Sequence, residues 1–187
     1  MEAHVLEGGF ADPAIQSAMA FRAVMEAMAR PGSLQEVSGA MPPAPLSPAA
    51  GAAILVLCDP DTPVHLAGTA DCADVRAWIA FHTGAPLVSS ADADFAIGTW
   101  SDLGDLSAYR IGTPEYPDRS ATLIVEMQEL TAEGVDLRGP GIRATAALSL
   151  PEKAAFQANR KQFPLGLDFI FTCGDALAAL PRSTEVI

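Results

Sequence analysis

The sequence predicts a three-layer α/β fold, in which a mixed β-sheet carries helices on both faces. Segments with helical periodicity alternate with short strand-like segments, and such a chain buries its apolar residues most economically in layers. Several strand-like segments follow one another after residue 120, which favours a mixed rather than a purely parallel sheet. Half of the 187 residues are hydrophobic, which is ample for a core. We predict a single domain over residues 1–187.

The first predicted helix begins after Asp12 and ends at Arg30-Pro31-Gly32. Asp12 is a favourable N-cap, Pro13 suits the first helical position, and Pro31 cannot continue the helix. Its apolar stripe at helical spacing is typical of a helix that packs on a core. The residues of the stripe are Ile15, Ala18, Met19, Arg22, Met25 and Ala29, widened by Phe21, Val24 and Met28.

The segments up to residue 97 are short and separated by breaks. Residues 49–57 favour a buried helix capped by Ser47-Pro48, although a buried strand remains open because the apolar run is short. The other predicted elements are a strand at 34–37, a proline-rich loop at 38–48, a strand at 62–66, a helix at 72–81 capped by Asp71, and a strand at 95–97.

The second half contains the clearest strand, residues 121–128, in which apolar and polar side chains alternate. A long polar loop at 112–120 precedes it. The remaining predicted elements are strands at 135–137 and 142–148, a helix at 151–162, a strand at 167–171, a short helix at 175–180 and an extended segment at 182–186.

Charge and composition exclude several classes of partner. The net charge of −12 would repel nucleic acid and anionic membranes. Three cysteines without a CxxC pair argue for a reducing compartment. No targeting segment is recognisable at the N-terminus, and no apolar run approaches the ~20 residues of a spanning helix. We therefore expect a cytoplasmic protein.

Most catalytic signatures are missing from the sequence. It contains neither a Gly-Lys phosphate loop nor a GxSxG nucleophile motif, and the spacing of His4, His65 and His82 does not suit a zinc site. Lys153 and Lys161 lie in one amphipathic helix, where lysines are usually solvated, so a pyridoxal-type Schiff base is not favoured. We expect no metal and no cofactor.

One polar loop stands out as a candidate anion site. Arg119, Ser120 and Thr122 lie where the loop joins the best strand, and a guanidinium beside hydroxyl groups suits a phosphate or carboxylate. We expect the turn at Gly139-Pro140-Gly141 to border this site. The alternative is a structural loop in which Arg119 pairs with Glu115 or Asp118. That turn also begins a GxGxxA pattern, which we interpret as a tight turn between strands rather than a dinucleotide site.

Three other arginines beside chain breaks are candidates for a protein–protein interface: Arg30, Arg160 and Arg182.

Six ordered segments resemble the PhnH family, the H subunits of the bacterial carbon–phosphorus lyase system of phosphonate metabolism. Ser183 stands where the family ending Pro-Arg-Thr-Thr has threonine, and both residues carry a hydroxyl. The six segments are 21–25 with 29–32, 57–64, Gly112-Thr113 with 116–122, 137–142, 163–168 and 180–186.

The resemblance implies a fold similar to the large domain of pyridoxal-phosphate transferases without the cofactor. It also implies membership of an assembly with the G, I and J subunits. With the G, I and L subunits, the family takes part in displacing adenine from a nucleoside triphosphate by an alkylphosphonate, which forms ribose 1-phosphonate 5-triphosphate. We therefore predict an accessory subunit, dimeric when isolated, whose complex holds its catalytic residues on another chain. The alternative is a free-standing small-molecule enzyme or binder that uses the cleft near Arg119.

Overall fold

The computed structural model describes residues 7–187. The expectations for the N-terminal segment and for His4 lie outside the described residues. The helices are α1 (Pro13–Ala29), α2 (Pro48–Leu57), α3 (Ala73–His82), α4 (Trp100–Leu103) and α5 (Lys153–Arg160). The strands are β1 (Gln35–Glu36), β2 (Val64–Leu66), β3 (Phe95–Thr99), β4 (Thr122–Glu126), β5 (Val135–Arg138), β6 (Ala146–Leu148), β7 (Asp168–Cys173), β8 (Ala176–Leu180) and β9 (Glu185–Val186).

Six strands form a mixed sheet in the order β1-β8-β7-β4-β3-β2. Strands β2, β3, β4 and β7 are parallel, whereas β8 runs antiparallel to β7, and β1 antiparallel to β8. Strands β6, β5 and β9 form a second, antiparallel sheet. The predicted α/β class with a mixed sheet is therefore confirmed.

The predicted caps begin the first two helices. The Asp12 carboxylate accepts a hydrogen bond from the backbone N–H of Ile15 (3.3 Å), and the Ser47 hydroxyl accepts one from Ala50 (3.2 Å). Each cap thereby satisfies an N–H that has no partner within its helix, and proline follows at the first helical position in both. Of the two alternatives for residues 49–57, the helix is correct.

The large sheet separates two apolar cores. Along β4, Ile124 belongs to the core that packs under α1, α2 and α3, whereas Leu123 and Val125 belong to the core beneath α5 and the small sheet. This division follows from the two-residue period of a strand, which sends successive side chains to opposite faces. Helices therefore cover both faces of the sheet, as predicted. Within residues 7–187, no helix is long and apolar enough to cross a membrane.

The predicted apolar stripe of α1 is not the face that the helix buries. Most of its large apolar residues point to solvent, and a face of smaller residues packs on the core. Its buried residues are Ala20, Val24 and Ala27. The small side chains let α1 lie close to α2 and the sheet, and Met28 is a large side chain of α1 that also packs, partly buried, against this core. Four large apolar side chains form what we term the α1 outer face: Ile15 (60% exposed), Met19 (67%), Phe21 (47%) and Met25 (52%).

The predicted helix at 175–180 is wrong, because Asp175 lies in a turn and Ala176–Leu180 form β8. The loop between β7 and β8 is Gly174-Asp175, and Gly174 has a positive φ of 57° that suits a tight hairpin. The run Ala-Leu-Ala-Ala-Leu favours a helix by intrinsic propensity, but pairing with β7 buries all but its first residue. The strand predicted at 142–148 is also too long, since only Ala146–Leu148 pair with β5.

Candidate functional site

A polar cleft opens at the edge of the large sheet where β3 and β4 begin. Its volume is about 530 Å³. Phe95 and Thr122, the first residues of these neighbouring strands, are paired in register, so the residues before them meet at one edge. The cleft is lined by Leu57, Thr62, Asp94, Phe95, Arg110, Asp118, Arg119, Ser120 and Thr122.

The loop between Arg110 and Ser120 folds back on itself and brings two arginines to this cleft. Ile111 and Ser120 form an isolated antiparallel bridge, and the N–H of Ala121 donates to the carbonyl of Arg110 at 2.8 Å. Gly112 allows the tight return, because it has a φ of 82° and a Cβ there would lie 2.6 Å from the carbonyl oxygen of Pro117.

The two arginines of the cleft have different partners. Arg110 forms an ion pair with Asp94. The Arg119 guanidinium carbon lies 4.1 Å from the centre of the Tyr116 ring, which is a cation–π contact. Within residues 7–187, no carboxylate lies within ion-pair distance of Arg119, so the pairing with Glu115 or Asp118 that we considered is not formed.

Ser120 is the most unusual group in the cleft. The residue is only 8% exposed, and its Oγ is buried without a hydrogen-bond partner among the described residues. Most buried polar atoms in native proteins are paired, since an unpaired hydroxyl costs about 1–3 kcal/mol. The Ser120 Oγ is therefore an unpaired buried hydroxyl at the wall of the cleft.

The structure brings Arg119, Ser120 and Thr122 together but not the two predicted glycines. A Cβ on Gly141 would lie 1.9 Å from the carbonyl oxygen of Ala29, and one on Gly139 would lie 3.2 Å from that of Ser183. The chain itself fills the space at both glycines. They permit close packing of a turn against the end of α1 and the C-terminal segment, and they do not line the cleft.

The three arginines expected at a protein–protein interface occupy unlike positions. Arg182 is internal: its backbone N–H donates to Asp168 at 2.7 Å, and its guanidinium pairs with the same carboxylate and with the carbonyl of Pro117. Because both side chains of this pair are about 85% buried, Arg182 is a structural residue rather than an exposed docking group.

Arg30 and Arg160 remain accessible. Arg30, the residue that follows α1, is largely exposed, and its Nε lies 3.4 Å from Oε2 of Glu26 in the last turn of the helix. The Arg160 guanidinium lies 4.8 Å from the Phe163 ring centre and 3.8 Å from the Glu185 carboxylate. Contact of either arginine with a partner stays a prediction.

Sequence reasoning missed Arg110 and Asp94 as parts of the cleft. A signal was available for Asp94. The sequence predicted both β3 and β4, and neighbouring parallel strands begin at the same edge of a sheet. Asp94 directly precedes β3. Arg110 had no such signal, because only the folded loop brings it opposite Arg119.

The other reactive side chains do not form a second chemical centre in the described part of the chain. Residues 7–187 contain no group of three or more His, Cys, Asp or Glu side chains placed to hold a metal ion. Lys153 and Lys161 are both exposed. Burial, with the nearby Asp59 and Asp94, raises the pKa of the Cys58 thiol to about 12, so this cysteine is an unreactive core residue.

Comparison with known proteins identifies the family. The family model described as "Bacterial phosphonate metabolism protein (PhnH)" matches residues 8–187. The chain belongs to the PhnH family. The resemblance found in six short segments of the sequence is thereby confirmed over almost the whole chain.

Two curated proteins are similar to this chain. The "Alpha-D-ribose 1-methylphosphonate 5-triphosphate synthase subunit PhnH" of Rhizobium meliloti (strain 1021) is 40% identical over 197 residues, covering 99% of this chain and 97% of that protein. The "Putative C-P lyase subunit protein HtxG" of Stutzerimonas stutzeri is 26% identical over 185 residues, covering 89% and 84%. Both names describe subunits of larger assemblies.

Proposed function

We propose that this chain is an accessory, non-catalytic subunit of a carbon–phosphorus lyase complex. In this role it supports the synthesis of ribose 1-phosphonate 5-triphosphate, in which an alkylphosphonate displaces adenine from a nucleoside triphosphate. The names of the two relatives support the assignment, since both are subunits and one belongs to a ribose 1-methylphosphonate 5-triphosphate synthase. Membership of a phosphonate metabolism family supports the pathway.

The α1 outer face is the observation that carries this proposal. Met19 and Met25, with Ile15 and Phe21, leave large apolar side chains in solvent although smaller residues of the same helix are buried. Four large exposed apolar side chains on one helix mark an interaction site more often than a single exposed residue does. Methionine-rich helix faces adapt readily to an apolar partner surface.

The proposed partners are the G, I and J subunits, and a second copy of the chain when the protein is isolated. The net charge of −12 favours a partner with basic surfaces, because opposite charges accelerate association. The exposed Arg30 and its neighbour Glu26 flank the α1 outer face and provide polar groups for its rim. This arrangement suits an interface with an apolar centre.

We also propose that the chain is one PhnH-like domain over residues 1–187, located in the cytoplasm, with a fold related to the large domain of pyridoxal-phosphate transferases. The mixed sheet with helices on both faces supports this relationship. The cofactor of those enzymes needs a lysine held in a cleft, and the exposure of Lys153 and Lys161 supports a chain that works without it.

Co-purification with the other subunits tests the proposal. The chain is co-expressed with the G, I and J subunits, and we expect it to elute in one complex with them. Met19→Glu combined with Met25→Glu should abolish co-purification, because burying two carboxylates in an apolar interface is costly.

Phe81→Glu is the matched control, since Phe81 is an equally exposed apolar residue on α3. This variant should still co-purify. A wild-type chain that binds none of the subunits would overturn the proposed function, and a double variant that binds normally would overturn the role of α1. Sedimentation of the isolated chain checks the homodimer.

A further inference from the structure

We propose that a second pocket, on the α5 side of the large sheet, binds a small organic cation with a primary ammonium group on a short apolar body. We term it the α5 pocket. It lies between α5 and the segment from α4 to Ile111, and its volume is about 460 Å³. Small-molecule sites commonly have volumes of about 300–1,000 Å³. The α5 pocket and the α1 outer face lie on opposite faces of the sheet, so the two sites are separate.

The charged side chains of the α5 pocket are all acidic. Asp105 and Glu152 line it, and no Lys, Arg or His side chain of residues 7–187 does. Hydrogen bonds from the backbone N–H and the hydroxyl of Ser107 lower the pKa of the Asp105 carboxyl, so this group stays ionised at neutral pH. The net charge of −12 adds to the attraction for a cation and opposes the entry of an anion.

Glu152 provides an acceptor that the fold does not use. Its Oε2 accepts a hydrogen bond from the indole N–H of Trp100 at 3.2 Å, whereas its Oε1 has no partner among residues 7–187. The bond to Trp100 limits the rotation of the carboxylate. A primary ammonium group carries three donors, so it can donate a charge-assisted hydrogen bond to Oε1.

Two fixed aromatic side chains, Trp100 and Tyr109, form part of the wall. The Trp100 ring packs on the Phe156 ring, with 4.8 Å between their centres. The Tyr109 hydroxyl donates a hydrogen bond to the carbonyl of Leu103 at 2.9 Å. Aromatic rings attract cations and also offer apolar contact. Because the fold already holds both rings, a ligand loses little binding energy in ordering them.

Small side chains on α5 leave space for the apolar body of the ligand. Ala155 and Ala158 line the helix side of the pocket, and Leu106 and Ile111 line the side across from it. The neighbouring Phe156 points into the core and is fully buried, so it does not fill this space. Apolar walls with acidic groups suit an aryl or alkyl amine better than a sugar or a nucleotide.

Calorimetric titration of the full chain tests the charge of the ligand. The probes are 2-phenylethylamine, 2-phenylethanol and phenylacetate, which share a phenyl group and differ in charge. We expect the amine to bind at least about tenfold more tightly than the alcohol, and phenylacetate not to bind. Equal affinity for the amine and the alcohol, tighter binding of phenylacetate, or failure of the amine to bind would each overturn the proposal.

Glu152→Gln tests the acceptor. The variant should bind 2-phenylethylamine about tenfold more weakly and 2-phenylethanol unchanged, because glutamine keeps an acceptor for Trp100 but not the charge. Asp74→Asn, in the first turn of α3, removes a carboxylate outside the pocket and should change neither affinity. An equal loss for both probes would make Glu152 structural and overturn the proposal.

Ala158→Leu tests the location. The larger side chain should block binding of the amine without loss of stability, because position 158 is exposed on α5. Ala154→Leu, at an exposed position of the same helix outside the pocket, is the matched control and should bind normally. Unchanged amine affinity in Ala158→Leu would place the ligand elsewhere and overturn the proposal.

Tryptophan fluorescence gives a second measure of the location. The chain has two tryptophans, and Trp78 is fully buried, so a change on amine binding should come from Trp100. A fluorescence change that persists in Trp100→Phe would contradict the α5 pocket. Co-purification with the G, I and J subunits should be unaffected by Ala158→Leu, so this proposal and the proposed function can fail independently.

Discussion

Helices α1 and α5 lie on opposite faces of the same sheet and use their apolar residues in opposite ways. The eight-residue α5 buries Phe156 completely, and the side chain of its buried Asn159 is paired twice with the backbone of Leu167, at 2.9 and 2.8 Å. The seventeen-residue α1 buries Ala20, Val24 and Ala27 fully, packs Met28 partly against the core and leaves its outer face in solvent. The packing of α5 is completed within the chain, whereas α1 retains apolar surface that the fold does not need.

The largest expected effect concerns the α5 side. Phe156 lies 4.9 Å from Phe169 and 4.8 Å from Trp100, measured between ring centres. Phe156→Ala should lower the free energy of unfolding by about 3–5 kcal/mol, because it removes a fully buried aromatic ring and leaves a cavity. Urea denaturation followed by circular dichroism measures the loss. Phe81→Ala, at an exposed ring, should change stability by less than about 0.5 kcal/mol, and an equal loss in both variants would contradict the comparison.

On the α1 side the sensitive positions are the small ones. Ala27 is fully buried where α1 faces the core. Ala27→Leu should cost about 1–3 kcal/mol by overpacking, whereas Ala29→Leu, at an exposed position of the same helix, should be nearly neutral. Urea denaturation of both variants measures the difference between their free energies of unfolding. Equal stability of both would show that the inner face has room for large residues.

A half-buried carboxylate, that of Glu126 at the end of β4, makes the α1 side sensitive to pH. Glu126 accepts a hydrogen bond from the backbone N–H of Ser47 at 2.7 Å, and burial raises the pKa of this carboxyl above its usual range. The folded state therefore holds a proton that the unfolded state releases, so this group lowers stability as pH rises above about 4.5.

Glu126→Gln removes that titration while it keeps an acceptor for Ser47. The stability of the variant relative to the wild type should increase as pH rises from 4 to 7, measured by urea denaturation at several pH values. Glu129→Gln, at an exposed carboxylate of the same region, is the control and should show no such trend. A difference that is constant with pH would contradict the raised pKa.

The smallest expected effect concerns Met19, on the α1 outer face. Met19→Ala should change the unfolding free energy of the monomer by no more than about 0.5 kcal/mol, because this side chain is already two-thirds exposed. Measurements at dilute protein concentration exclude a contribution from self-association. A loss above about 1.5 kcal/mol would mean that the α1 outer face is covered within the chain.

The cleft was only partly predictable. Arg119, Ser120 and Thr122 lie close together in sequence, so their residue types and their position at the junction of a polar loop and a clear strand were enough to propose them. Arg110 and Asp94 join them only through the folded loop and the parallel register of β3 with β4. The sequence correctly predicted a turn at Gly139 and Gly141, and both have a positive φ. It did not show that this turn packs against the end of α1 and the C-terminal segment instead of lining the cleft.

The sequence by itself determined the local features of this protein: the caps of α1 and α2, the alternation of β4 and the family pattern in six segments. These depend on neighbouring residues, whose interactions follow directly from spacing along the chain. Only the tertiary structure decided which face of α1 is buried, that residues 176–180 form a strand, and that Arg182 is internal. Each of these depends on which distant surfaces meet, because close packing selects shape and volume as well as hydrophobicity.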